Sequence, residues 1–367
     1  MAKNSNVDVI VVGGGGAGLC ASIAAVEAGA DEVILMEKTS KLGGDTSISG
    51  LVISAGGTPL QKQAGIEDTP HQYLIDHLTG GRYTSNVMLS ATLVQNGAAA
   101  WDWLAEHGCR FPGPAGLHVQ HDHTLARSVK FEPPGMISPL KQAAEAKGVK
   151  IMLDSPVQSL MVKAGRVTGV IVDNNGQATE YPADSVILAT GGFGRNKDMV
   201  SQYSPKFSES VSWNALGITG DGIELAQAAG ADLVQMDALR VIQTGADVRV
   251  KVLYPTYLMG QIRALGGILV APDGRRFYDE LGRSYEMVHA AMACGPFYFL
   301  IFDAKMALPS QWLPEKTFED QLNTAIADGL VVMQANTLEE LADQMGAPAL
   351  VETVQRWNAD TEYSRQI

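Results

Sequence analysis

Paired cysteines are missing from this 367-residue chain. Cys20, Cys109 and Cys294 stand far apart and form no CxxC or CxxCH pair, which excludes a disulfide framework, a c-type haem and a cysteine-held iron–sulfur cluster. Positive charge is scarce as well: 27 Lys and Arg face 40 Asp and Glu, a formal net charge of −13. That balance argues against a nucleic-acid or anionic-membrane surface, so an anionic ligand would need a local basic pocket. No apolar run reaches the ~18 residues of a membrane helix. MAKNSN leads directly into a strand pattern, without the apolar stretch and cleavage site of a signal peptide. Direct membrane insertion is therefore not expected, and a cytoplasmic location is. Histidines cluster at His118, His121 and His123 beside Asp122, a spacing that fits neither a helical nor a finger-type metal site. No metal is expected there. A polar loop is the plainer reading, a substrate-facing histidine the alternative, and Arg127 just beyond leaves a ligand role open.

What is present is apolar and glycine-rich: 46% hydrophobic residues, 18% charged residues and 39 glycines, a composition typical of soluble α/β enzymes. The length suggests two domains. VDVIVV (7–12) is a continuous apolar strand, AGLCASIAAVEAG (17–29) a small-residue helix and VILME (33–37) a second strand, which makes a βαβ unit with parallel strands. A Gly/Ser-rich loop covers 43–58, and helical patterns come after it at 71–81, 86–108 and 136–147. VKIML, SPVQSLMV, RVTGVIVDN and ADSVILATGG are strand-like, implying a second βαβ half or a β-meander. From 233 the texture turns to short strands, mixed charge and turn signals such as PDG, where a capping domain is expected.

Gly13, Gly15 and Gly18 supply G-x-G-x-x-G just after a strand and at the start of a helix, and Glu37 closes the next strand 19 positions beyond Gly18. These glycines allow a tight turn, close approach of a pyrophosphate and close helix packing, and an acid at the end of the second strand can accept from ribose hydroxyls. The pattern indicates a dinucleotide. NAD and FAD sites differ in the segment that succeeds this second strand: EKTSKLGGDTSISG (37–50) is a second glycine- and hydroxyl-rich loop where an NAD domain ordinarily continues into a helix. Gly43 and Gly44 permit close approach, and Asp45, Thr46, Ser47 and Ser49 offer donors and acceptors to a flavin; a surface loop is the alternative. Ala189, Thr190, Gly191 and Gly192 end a strand, and Thr219, Gly220 and Asp221 open a helix. Both put backbone N–H groups where a cofactor can meet them.

Taken in order, GGGGAG (13–18), EK (37–38), GGDTSISG (43–50), ILATGGF (187–193), TGDG (219–222) and GGILVAPDGRRFYDE (266–280) resemble one family. It comprises the FAD-dependent flavoproteins of the fumarate reductase and succinate dehydrogenase type, with tricarballylate dehydrogenase and the 3-ketosteroid dehydrogenases. The resemblance implies a Rossmann-like α/β FAD-binding domain, a parallel sheet plus β-meander, with an inserted α+β capping domain that carries substrate. It places the FAD domain at 1–232, the capping domain at 233–345 and the start of a return to the FAD domain at 346–367. It also adds Gly16, Ala17, Lys38, Gly50 and Val157 to the cofactor contacts. Covalent members attach flavin through a histidine in the 43–50 loop, which has none here, so FAD is expected to be non-covalent.

The reaction implied is hydride exchange with a C–C bond next to a carbonyl or carboxylate, on a small-molecule substrate and with an electron-transfer partner. Fumarate reductases carry Q-x-H-P-T and E-A-x-R-G stretches; here RVIQT (240–244) lacks the histidine and GQIRA (260–264) replaces the acid by Gly260. Arg263 remains, able to clamp a carboxylate, and Arg283 corresponds by position to the family's acid. RRFYDELGRSYEMVHAAM also resembles the ketosteroid branch, which relies on tyrosines, so Tyr285 joins the catalytic candidates beside Tyr254, Tyr257 and Tyr278. The family's closing GGL and AGE segments do not occur before Ile367. A C-terminally truncated, catalytically incompetent FAD-binding protein is therefore a further alternative, as is a plain NAD-dependent dehydrogenase.

Overall fold

The computed structural model describes residues 7–49, 51–119, 123–174, 176–210, 212–241, 262–263, 266–280, 282, 284–295, 297–303, 318–327 and 332–359. The chain divides into two compact units, Met1–Leu239 and Arg240–Ile367.

The first unit is built on β1 (Val7–Val12), α1 (Gly16–Glu27) and β2 (Val33–Met36), the βαβ element read from the apolar runs. Later come α2 (Gly44–Ile48), β3 (Val52–Ser54), α3 (Pro59–Gln63), α4 (Pro70–Gly80), α5 (Val87–Glu106), β4 (Ser128–Lys130), α6 (Ile137–Ala146), β5 (Lys150–Met152), β6 (Val157–Lys163), β7 (Arg166–Asn174), β8 (Gln177–Leu188), α7 (Lys197–Tyr203) and α8 (Asp221–Ala228). Six strands form one sheet in the order β5-β2-β1-β8-β7-β6. β5, β2, β1 and β8 run parallel, while β7 and β6 join antiparallel as the meander. Of the two arrangements open from sequence, the meander is the one formed.

β1 is buried on both faces, which is why its sequence does not alternate. Val11 packs with Leu19 and Ile23 of α1 and Leu140 of α6, while Ile10 and Val12 pack with Ile34, Met36, Val170 and Val172. Leu19 and Ile23 are fully buried, each contributing about 1.5–3 kcal/mol of apolar burial.

Three local readings change. The Gly/Ser-rich stretch 43–58 is not a continuous loop: it contains α2 and then β3, which pairs antiparallel with β4. β8 is twelve residues long and begins at Gln177, ahead of the apolar run. Its early part carries Glu180 and Pro182 and hydrogen-bonds only β7, since β1 joins from Ala183 onward, so proline stands where the strand has one neighbour. Arg127, left open as a ligand residue, is fully buried and paired with Asp68 and Asp76 at 2.8 and 2.5 Å. It braces the β4 approach against α4 and has no surface left for a ligand.

The second unit contains β9 (Ile268–Val270), α9 (Ser284–Cys294), β10 (Phe299–Ile301), α10 (Phe318–Ala327), α11 (Leu338–Met345) and α12 (Leu350–Ala359). β9 and β10 pair antiparallel. Ala342, Ala347 and Leu350 bury against Ile268 and Val270. The described part of 346–367 thus packs within this unit.

Candidate functional site

The sequence-predicted cofactor residues converge at the C-terminal ends of β2, β1 and β8. Gly13 leaves β1 at φ +105°, and a β-carbon there would come within 2.5 Å of the Ala189 carbonyl oxygen, so only glycine turns here without strain. Gly13 N–H donates to Met36 O, and Ala189 N–H donates to Val12 O, both at 2.8 Å. A β-carbon at Gly18 would collide with the Gly13 carbonyl, so its absence is what lets α1 start this close to the strand. Gly15, the residue before α1, faces open space: a β-carbon there would find its nearest neighbour, Gly43 O, at 3.8 Å. Gly15 has no side chain to cap this end, and no acid lies in the first turn. The positive end of the α1 dipole, with Gly16 buried and Ala17 exposed beside it, has the chemistry to receive an anionic group such as a pyrophosphate.

Glu37 stands over this turn. One carboxylate oxygen accepts from Gly14 N–H at 2.8 Å, and the other accepts from the N–H and hydroxyl of Thr39 at 2.9 and 2.8 Å. That fixes the acid with one acceptor site, on Oε2, left for a ribose hydroxyl. Gly43 N–H donates to Gly14 O at 2.9 Å, and Gly16 N–H donates to the Thr46 hydroxyl at 3.2 Å, holding α2 beside the turn. The Ser47 and Ser49 hydroxyls donate to Gly44 O and Thr46 O inside the same segment. Asp45 accepts from Asn214 Nδ2 at 2.6 Å and Ala215 N–H at 2.7 Å. Gly50 lies outside the described residues.

Lys38 donates to the Thr219 hydroxyl and to Asp221, each at 2.6 Å, and Thr219 also bonds Asp221. Burial works to raise the Asp221 carboxyl, but Lys38 and Thr219 overcome it and hold it below the usual range. Thr190 lies under Gly222, where a β-carbon would meet its hydroxyl, and Gly220 N–H donates to Gly192 O at 3.1 Å, so Gly191 and Gly192 abut the start of α8. Val157, Leu160, Asp221, Glu224 and Leu225 line a cleft of about 350 Å³ between β6 and α8. Sequence reasoning missed Asn214 and Ala215. Neither sits in a motif, and the only local hint is Gly194, which leaves room for the Asn214 side chain.

Of the catalytic candidates, Arg263 is half-buried in the second unit. Its Nη1 lies 2.7 Å from Met287 Sδ, and its buried Nε has no hydrogen-bond partner. Burial lowers its pKa, against the weaker opposing fields of Tyr298 and Glu280. Glu280 itself is bonded by Leu269 N–H and by Arg276. Arg283, Gly260, Tyr254 and Tyr257 lie outside the described residues, as does the side chain of Tyr285. Tyr278 donates to Glu286 at 3.0 Å. His121 and Asp122 are also outside the described residues; His118 pairs with Ser128, and the His123 ring stands edge-on to Tyr73 at 5.3 Å. Among the described residues no group of three His, Cys, Asp or Glu is placed to hold a metal, and no helix is long and apolar enough to cross a membrane.

Known proteins resemble this chain along nearly its whole length. The family described as FAD binding domain matches residues 8–366. An NADH:fumarate oxidoreductase of Klebsiella pneumoniae is 30% identical over 370 residues, covering 98% of this chain and 38% of that protein. A probable fumarate reductase of Shewanella frigidimarina is 31% identical over 379 residues, covering 99% of this chain and 61% of that protein. Among solved structures, a 3-ketosteroid-Δ4-(5α)-dehydrogenase from Rhodococcus jostii RHA1, in complex with 4-androstene-3,17-dione, superposes with a TM-score of 0.75 at 28% identity, covering 98% of this chain and 78% of that one. The chain spans 38% and 61% of the two curated relatives' lengths. With the glycine turn, Glu37 and the α8 start gathered at one sheet edge, the chain belongs to the FAD-binding domain family of flavoproteins.

Proposed function

We propose that this chain is the FAD-dependent part of an oxidoreductase acting on a C–C bond next to a carboxylate or carbonyl, in the manner of a fumarate reductase. Bound FAD supplies the two-electron chemistry. In this reading the α1 N-terminus holds the pyrophosphate, Glu37 the ribose, and the cleft at Val157 and Asp221 the adenine, without a covalent bond to the protein. An electron-transfer partner reduces the cofactor.

The observation that carries the substrate class is Arg263. A half-buried guanidinium with an orphaned buried Nε, whose polar contact among the described residues is a thioether, is poorly compensated, and a substrate carboxylate supplies the charge and acceptors it lacks. Arg283 and Tyr285 are the proton-handling candidates in this reading. The ketosteroid reading draws on the R. jostii enzyme's likeness and predicts an uncharged enone instead.

The test is direct. Purified protein is denatured and the supernatant examined for FAD; the holoprotein is then reduced anaerobically with dithionite and offered fumarate, urocanate or a 3-ketosteroid enone. Reoxidation by the unsaturated carboxylates and not by the steroid is the expected result. Reoxidation by the steroid alone overturns the carboxylate reading, and a nicotinamide in place of FAD overturns the cofactor.

A further inference from the structure

Segment 212–221 crosses the strand ends like a strap, and its two edges are held differently. On the side of β8 the attachment includes the main chain: Arg195 N–H donates to Ile218 O at 2.9 Å, and Gly220 N–H donates to Gly192 O at 3.1 Å. Arg195 Nε and Asn196 Nδ2 add bonds to Asn214 O and Thr219 O at 2.7 and 3.0 Å. On the side of the glycine turn the strap is held by side chains from the start of the chain. Asp45 takes Asn214 Nδ2 and Ala215 N–H at one end, and Lys38 takes Thr219 and Asp221 at the other. A strap with one edge anchored partly through the main chain and the other closed by two side chains can open on the second edge while remaining attached on the first. The residues beneath it are those of the cofactor seat, since Lys38 adjoins Glu37 and Asp45 lies two positions beyond the Gly43 that pairs with Gly15.

We propose that Lys38 and Asp45 are positioning residues for FAD: together they latch the strap 212–221 along one edge of the cradle, and opening of that latch sets the rate at which FAD leaves. The inference rests on the assignment of the cradle to FAD. Their own polar atoms are directed at the strap, so their effect on the cofactor passes through Asn214, Ala215, Thr219 and Asp221. Lys38 and Asp221 are both partly exposed, at 27% and 37%, so this half of the latch is open to screening by salt. The Asp45 half consists of a carboxylate on an amide and a main-chain N–H, and is less so.

The experiment tracks FAD release by the recovery of flavin fluorescence after the holoprotein is diluted far below its dissociation constant, so that released FAD does not rebind. Asp45→Ala and Lys38→Met are each expected to speed release about tenfold or more, the equivalent of losing a charge-assisted hydrogen bond. Lys38→Met/Asp221→Asn should be no faster than Lys38→Met alone, because the pair acts as one unit. Raising salt from about 0.05 M to about 0.5 M should speed release from the wild type and leave Lys38→Met unchanged, a response that general loosening of the fold would not give. Amide exchange in the apoprotein supplies a readout without flavin: Asp45→Ala should expose the Ala215 N–H while the β1 amides stay protected. If either variant does not fold, Asp45→Asn and Lys38→Arg take its place, with release between the wild-type and truncated values. Unchanged release in folded variants, or unchanged exchange at Ala215, overturns the latch. A wild type that takes up no FAD overturns the cradle assignment itself.

Discussion

Two arginines, one in each unit, show how differently this chain treats a cation taken out of water. Arg127 is fully buried, and both of its flanks are carboxylates, Asp68 and Asp76, with the Tyr73 ring 4.5 Å from its guanidinium carbon. Burial alone would lower its pKa; the two aspartates reverse that and raise it. Arg263 is less buried yet worse served: a thioether at 2.7 Å, an unbonded Nε and a pKa that burial pushes down. The first is a closed unit whose charges cancel within the fold. The second keeps an unbonded Nε, and the proposed carboxylate-binding role rests on that difference.

The largest effect should come from opening the closed unit. Arg127→Met leaves two buried carboxylates uncompensated and should cost about 3–5 kcal/mol, read as a large fall in Tm or loss of soluble protein. Adding Asp68→Asn and Asp76→Asn should recover part of that loss; if it does not, charge is not what Arg127 contributes. Arg263→Met is the opposite case. It should leave Tm unchanged or raise it, because a buried charge is relieved, while kcat/KM for a carboxylate substrate falls about tenfold to a hundredfold. A fall in Tm as large as that of Arg127→Met would erase the distinction between the two. Next in size, Glu37→Ala should weaken FAD binding about tenfold with little change in the apoprotein's Tm, as measured by flavin titration.

The smallest effect concerns a carboxylate remote from the cradle. Glu27 at the end of α1 accepts from Lys147 at 2.9 Å, Trp103 Nε1 at 3.0 Å and His107 Nε2 at 2.8 Å, tying α1 to α5 and to the residue after α6. Lys147 first, then Trp103, hold its carboxyl at about 2 instead of 4.5. A depressed carboxylate stabilises the fold above its unfolded pKa, and that contribution is lost as pH falls from about 4.5 towards about 2. Glu27→Gln should therefore flatten the acid limb of the Tm–pH curve by a few degrees at most, since the group is partly exposed.

The sequence was most legible where neighbours in the chain are neighbours in space. β1, the glycine turn, α1, β2 and Glu37 lie within one βαβ unit, and each carries its own periodicity or backbone requirement. α2 was not visible because a five-residue helix opened by Gly43 and Gly44 has the composition of a loop. The beginning of β8 was hidden by Glu180 and Pro182, which a strand accepts there because β1 has not yet joined it. The ties of Lys38 to Asp221, of Asp45 to Asn214 and of Arg127 to Asp68 span 183, 169 and 59 positions. No local pattern announces contacts over such separations; a lysine, an aspartate or an arginine gives its type and not its partner.

The insertion of β8 between β1 and the meander also orders events in time. β1 finds β2 about two dozen residues away, but its other neighbour arrives only with Ala183–Leu188, and such distant pairings close slowly. On the ribosome, the glycine turn emerges long before the segment that completes its surroundings. The ties of Lys38 and Asp45 to segment 214–221 can therefore be made only once the chain has grown past Asp221.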